Sequence, residues 1–173
     1  MSSAESWESR EMTRHTVWSH MLDAARNTRY ADLMEIRYRR IHFSLRFMLL
    51  LFATASATDF LDVYLVGRWE AAPELVFAGL VIWDFVADYA TKIAVLNSAK
   101  RGCGPLEARW RELWQDTESH RLPDDEIRRR NSELLNELKH ATAAMDTIVG
   151  TVEKVNVLST TNAYKVMEDS YAR

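Results

Sequence analysis

Cysteine, proline and glycine are scarce in this chain. Its 173 residues include 1 Cys, 3 Pro and 5 Gly. A single cysteine excludes a disulfide framework and any Cys-based structural zinc site. So few turn formers exclude a many-stranded β protein, which needs a turn about every 8–12 residues. An excess of charge of one sign is also lacking: 22 Lys+Arg stand against 25 Asp+Glu. That balance gives no overall drive toward nucleic acid, and no nucleic-acid partner is expected. There is no Gly-rich phosphate loop, nucleophile elbow or HExxH. No catalytic residue, cofactor or metal is therefore assigned, and the sequence names no enzymatic reaction. The mean hydropathy of −0.28 excludes a polytopic transporter but leaves room for one short membrane hairpin. What remains is an all-α chain of about one domain in length.

The opening residues 1–15, MSSAESWESREMTRH, are polar and are expected to be a flexible N-terminus; no apolar run of signal-peptide type follows them. From Thr16 the pattern becomes helical. Val17, Met21, Leu22 and Ala25, then Tyr30, Leu33, Met34 and Tyr38, recur at helical spacing among charged residues. No Pro or Gly interrupts before Gly67, so a long amphipathic helix leads toward the middle of the chain.

Two apolar stretches follow, Phe47 to Gly67 and Leu75 to Leu96, joined by the linker RWEAAPE. Helices are expected at about 44–67 and 74–97, with Pro73 well placed to open the second. The Gly102-Cys103-Gly104-Pro105 run is the clearest loop signal and divides a region 16–101 from a helical region 105–173. Pro105 is expected to open a short helix with Leu106, Trp110, Leu113 and Trp114 on one side. Pro123 followed by Asp124, Asp125 and Glu126 marks another start, since acids suit the positive end of a helix dipole. The tail either continues as helix or breaks at Ser159-Thr160-Thr161-Asn162, which has poor helix propensity.

Whether the two stretches lie in lipid or in a protein core decides the function. A membrane helix needs ~20 mostly apolar residues, and both have that length. Asp59 and Asp62 interrupt the first; Asp84, Asp88 and Lys92 interrupt the second. Each central Asp costs about 2.5–3.5 kcal/mol, while each Leu, Ile, Phe or Val returns about 0.3–0.6, so either helix alone is marginal. Three features favour lipid. Phe47 to Phe52 and Leu75 to Trp83 are blocks without a polar face, and the short linker lets the two helices enter as a hairpin. Arg37, Arg39, Arg40 and Arg46 precede the hairpin and Lys100 and Arg101 follow it, which puts both ends of the chain on the cytoplasmic side. Arg46, Tyr64, Trp69 and Lys92 are then the candidates for the membrane interface, with Lys92 able to snorkel. The alternative is a soluble or peripheral helical-bundle module that binds a partner protein.

Acids within a bilayer face partners or water. Asp84 and Asp88 are four apart and Asp59 and Asp62 three apart, so each pair is expected to share a helix face. Asp59, Asp62, Asp84 and Asp88 are therefore pore-lining candidates in an oligomer, because rings of carboxylates line cation pores; the plainer role is that they cap helix ends, sit at the interfaces or are protonated. Glu137 and His140 match one Glu-x-x-His copy where a di-iron bundle needs two, and a solvated face explains them better.

The order of segments resembles the SLATT family of bacterial two-transmembrane effector domains. The likeness rests on the basic RYRRIHFSLRF before the first apolar helix, the RWEAAPE turn, the ARWRELWQDTES segment and the terminal TNAYKVMEDSY, and it covers roughly Tyr30 to Tyr171. The resemblance implies a membrane effector of anti-phage defence that forms a homo-oligomer and permeabilises the bacterial inner membrane, causing abortive infection. It also implies a lipid bilayer as partner and a cytoplasmic sensor or nucleotide-signalling protein as the source of the trigger.

Overall fold

The computed structural model describes residues 3–57 and 72–171, with side chains over 10–54 and 76–169. The described residues form five helices and no strand: α1 (Ser3–Ala57), α2 (Ala72–Ala87), α3 (Tyr89–Glu118), α4 (Asp124–Ile148) and α5 (Glu153–Tyr171). The all-α expectation holds. Asp59, Asp62, Tyr64 and Trp69 lie outside the described residues.

The chain divides into two compact units. The first combines Met1–Met34 with Val95–Arg173, and the second is Glu35–Ala94. This is not the division expected at the Gly102–Pro105 run, because the start of α1 belongs with the C-terminal helices. Four helical segments build the first core. Val17, Met21 and Ala24 of α1, Cys103, Leu106, Trp110 and Leu113 of α3, Ile127, Leu134 and Leu138 of α4, and Ala163 and Met167 of α5 are buried together. On α3 these positions alternate steps of three and four, and on α4 they do so once the buried Asn131 is counted between Ile127 and Leu134, the seam spacing of packed helices. Trp110, fully buried, docks α3 as its place in the apolar stripe suggests.

Several boundaries differ from the sequence reading, each for a local reason. Residues 3–15 are helical rather than flexible: Thr13 is buried, accepts a hydrogen bond from Arg128 Nε (3.2 Å), and Arg14 pairs with Glu118 on α3. No helix begins near residue 44, because α1 runs unbroken to Ala57. The expected 74–97 helix is two, since Asp88 takes a left-handed conformation (φ 43°) between α2 and α3. Asp tolerates that region better than most residues.

The Gly102–Pro105 run is not a loop; it lies inside α3. A Cβ at Gly102 would stand 2.9 Å from the Ala141 Cβ, so this glycine serves the close approach of α3 and α4. Gly104, lacking a Cβ, removes part of the clash that a residue before proline otherwise suffers in a helix. Pro123 does precede a helix, and the first turn of α4 carries Asp124, Asp125 and Glu126. Hydrogen bonds from Arg130 and Arg129 hold the Glu126 carboxyl below its ordinary pKa. The last break falls at Gly150 (φ 68°), not at Ser159–Asn162, which is helical. Tyr30 fixes that corner: its hydroxyl donates to the Gly150 carbonyl and accepts from the Val152 N–H, both at 2.9 Å.

Candidate functional site

The second unit carries the most unusual surface. Along α1, Phe43, Phe47, Met48, Leu50 and Leu51 are exposed, Phe43 to 72%. Along α2, Val76, Val81, Ile82, Trp83, Phe85 and Val86 are exposed, Phe85 to 86%. At 100° per residue these α2 positions occupy most of the helix circumference, leaving one half-buried stripe of Phe77, Leu80, Asp84 and Ala87. Single exposed apolar residues are ordinary, but a contiguous field of them marks a surface that something else covers.

One end of this surface is closed by aromatic and basic side chains. The Tyr38 and Tyr89 rings meet at 5.8 Å between centroids. The Lys92 ammonium lies over both, 5.8 Å from Tyr38 and 5.7 Å from Tyr89, a cation–π arrangement. Trp83 Nε1 donates to the Tyr89 hydroxyl at 3.3 Å. Lys92, an interface candidate from sequence, is therefore held by two tyrosines and does not extend freely. Arg39 pairs with the nearly buried Glu35 carboxylate at 2.5 Å. Arg37, Arg40 and Arg46 are exposed and, among the described residues, enter no ion pair.

The two described aspartates part company. Asp84 is half-buried on the inward stripe of α2. Asp88 is exposed and caps α3, accepting a hydrogen bond from the Thr91 N–H at 3.3 Å. They do not share a face of one helix, because α2 ends between them. Asp88 thus performs the capping role that the plainer reading of the acids allowed. Among the described residues, no helix is long and apolar enough to cross a membrane. The 16 residues of α2 span about 24 Å.

The first unit holds two further polar or aromatic arrangements. Asn131 occupies a core position of α4, and its Oδ1 accepts from Trp110 Nε1 (2.9 Å) and from His20 Nδ1 (3.1 Å). An indole nitrogen only donates, which fixes the amide orientation and, with it, the proton on His20 Nδ1. Trp18 and Trp114, 5.1 Å apart, line an open hollow of about 710 Å³ with Gln115, Glu118 and Ser119. The Glu118 carboxylate there is already engaged by Arg14 (2.5 Å). Glu137 is held by Arg109 through two hydrogen bonds, as expected of a solvated helix face. Among the described residues, no group of three His, Cys, Asp or Glu side chains could hold a metal ion.

The sequence marked Tyr38 and Trp83 only as apolar positions, not as partners of Tyr89, because the meeting of Tyr38 with Tyr89 joins segments distant along the chain. Asn131 and His20 were missed for the same reason; an Asn among leucines at seam spacing was the available signal. No family model, no curated protein and no solved structure matches the chain.

Proposed function

We propose that the second unit is a lipid-inserting hairpin, and that the protein acts by assembling several copies in a membrane and permeabilising it. The observation that carries this reading is the field of exposed large apolar side chains from Phe43 to Leu51 and from Val76 to Val86. Water penalises such a surface by roughly 25 cal/mol per Å², and hydrocarbon removes that penalty. The Tyr38–Tyr89–Lys92 group has the composition of a headgroup-level belt, and the arginines around it favour the cytoplasmic side for that end. Asp84, on the inward stripe, would face a neighbouring helix or a wet lumen in an assembly rather than lipid. A defence effector answering a cytoplasmic sensor or nucleotide-signalling protein is the setting that the SLATT resemblance implies for such a hairpin.

A second reading has its own support. The described residues of α2 reach about 24 Å against a ~30 Å hydrocarbon core, and no described helix meets the requirement for crossing. The same apolar surface would then receive a partner protein on a soluble or peripheral bundle.

Expression of the full chain in bacteria, followed by carbonate extraction and a potential-sensitive dye, separates the two. The membrane reading expects the chain in the carbonate-resistant pellet and loss of membrane potential, with Leu50→Arg reducing both. Recovery in the carbonate supernatant with potential intact overturns it and favours the partner-binding module.

A further inference from the structure

We propose that Arg37, Arg40 and Arg46 form a collar on α1 that binds the phosphates of anionic phospholipid headgroups, making attachment of the hairpin depend on anionic lipid. The inference rests on the membrane reading above and adds the chemistry of the surface it recognises.

Four observations carry it. First, Arg40, Phe43, Phe47 and Leu51 follow one another at spacings of three and four, so a single exposed face of α1 changes from cation to hydrocarbon within about one 5.4 Å turn. That order along the helix axis matches the order of chemistry through a leaflet, phosphate and then acyl chain. Second, the guanidinium groups are available. Arg37, Arg40 and Arg46 enter no ion pair among the described residues, whereas the nearby Glu35 is taken by Arg39. A planar guanidinium presents paired N–H donors that fit two phosphate oxygens.

Third, the aromatic group sets the level. Tyr38 sits between Arg37 and Arg39 in sequence, and its ring meets Tyr89, the first residue of α3. Arg37 and Arg40 therefore lie beside the end of α2, and Arg46 stands about 12 Å beyond Tyr38 along the same helix, next to Phe47. Fourth, that end suits headgroup depth. A helix terminus leaves up to four carbonyls without intrahelical partners. Hydrocarbon offers these groups no donor, while headgroups and their water do. The left-handed Asp88 (φ 43°) and the base of the apolar field thus belong to the same layer as Arg37 and Arg40.

The test is flotation of full-length protein made by cell-free synthesis in the presence of vesicles, at matched ionic strength. The vesicles are pure phosphatidylcholine or phosphatidylcholine with 30% phosphatidylglycerol, used across a lipid titration. Binding to the anionic vesicles is expected to exceed binding to the neutral ones. The variant R37Q/R40Q/R46Q should lose on the order of fivefold in partitioning per arginine, roughly hundredfold together. The variant R37K/R40K/R46K should retain most of the preference, because long-range attraction depends on charge. Circular dichroism of each variant should match that of the parent, since all three side chains are exposed. Equal flotation with both vesicle types, or unchanged anionic binding by the glutamine variant, overturns the collar while leaving the hairpin's membrane role intact. Flotation with neither overturns both.

Discussion

Tyr30 shows how much one atom organises. Its hydroxyl is the only polar part of a nearly buried ring, and it serves as donor and acceptor at the α4–α5 corner. Tyr30→Phe leaves the ring in place but strands the Gly150 carbonyl and the Val152 N–H. We expect a loss of about 0.5–1.5 kcal/mol in urea unfolding, the usual net worth of a hydrogen bond, since Gly150 is exposed and Val152 half-buried and water can replace the hydroxyl. Cys103 makes a second residue-scale prediction. Burial, assisted by the nearby Asp146 charge, pushes its thiol up from 9.0 to about 11. The unfolded thiol therefore ionises first as pH rises, and the native state retains a proton that the unfolded state has lost. The stabilisation is fully present below pH 9 and falls away as pH climbs toward 11. Unfolding free energy measured against pH should decline more steeply across that window in the parent than in Cys103→Ala. A buried, protonated thiol should also resist alkylation until the chain unfolds.

Among the elements, the contact between α3 and α4 is the most constrained. Gly102→Ala would set two Cβ atoms 2.9 Å apart, so one helix must shift. Overpacking of this kind costs about 1–3 kcal/mol, against roughly 1 kcal/mol gained by replacing glycine inside a helix. We expect the single substitution to lower Tm and G102A/A141G to recover most of the loss in a double-mutant cycle. This contact also explains what the sequence could and could not reveal. The helix after Pro123 was legible because a proline and three acids are local signals that act within one turn. Gly102 was misread as a loop former because its reason for being glycine is Ala141, far away along the chain. Gly150 went unnoticed for lack of a companion turn former, although its positive φ ends α4. The site divides in the same way. Phe47–Phe52 and Leu75–Trp83 announced themselves as apolar blocks, while Asp88 looked like a partner for Asp84 until the backbone ended one helix before it.

At the scale of the molecule, each unit has a distinct balance. The first encloses a continuous apolar core. The second exposes residues such as Ile82, Trp83, Phe85 and Val86. Monomeric proteins in water rarely display so large an apolar field. In buffer without detergent or lipid the full chain should self-associate, eluting near the void volume on size exclusion. Replacing Phe47, Ile82 and Phe85 with glutamate should restore a discrete peak without loss of helical signal, because these side chains support no interior. A compact peak from the unmodified chain would contradict the exposure seen here.

On the proposed lipid-inserting reading, the extent of the described part of α2 bears on which bilayer suits the hairpin. With 16 residues before the backbone turns at Asp88, it reaches about 24 Å. A slab whose acyl chains are too long would have to pinch inward around it, at a cost of fractions of a kcal/mol per Å. Dimyristoyl lipids should therefore accept the hairpin more readily than dierucoyl ones of the same headgroup, and the choice of membrane would be written in hydrocarbon thickness.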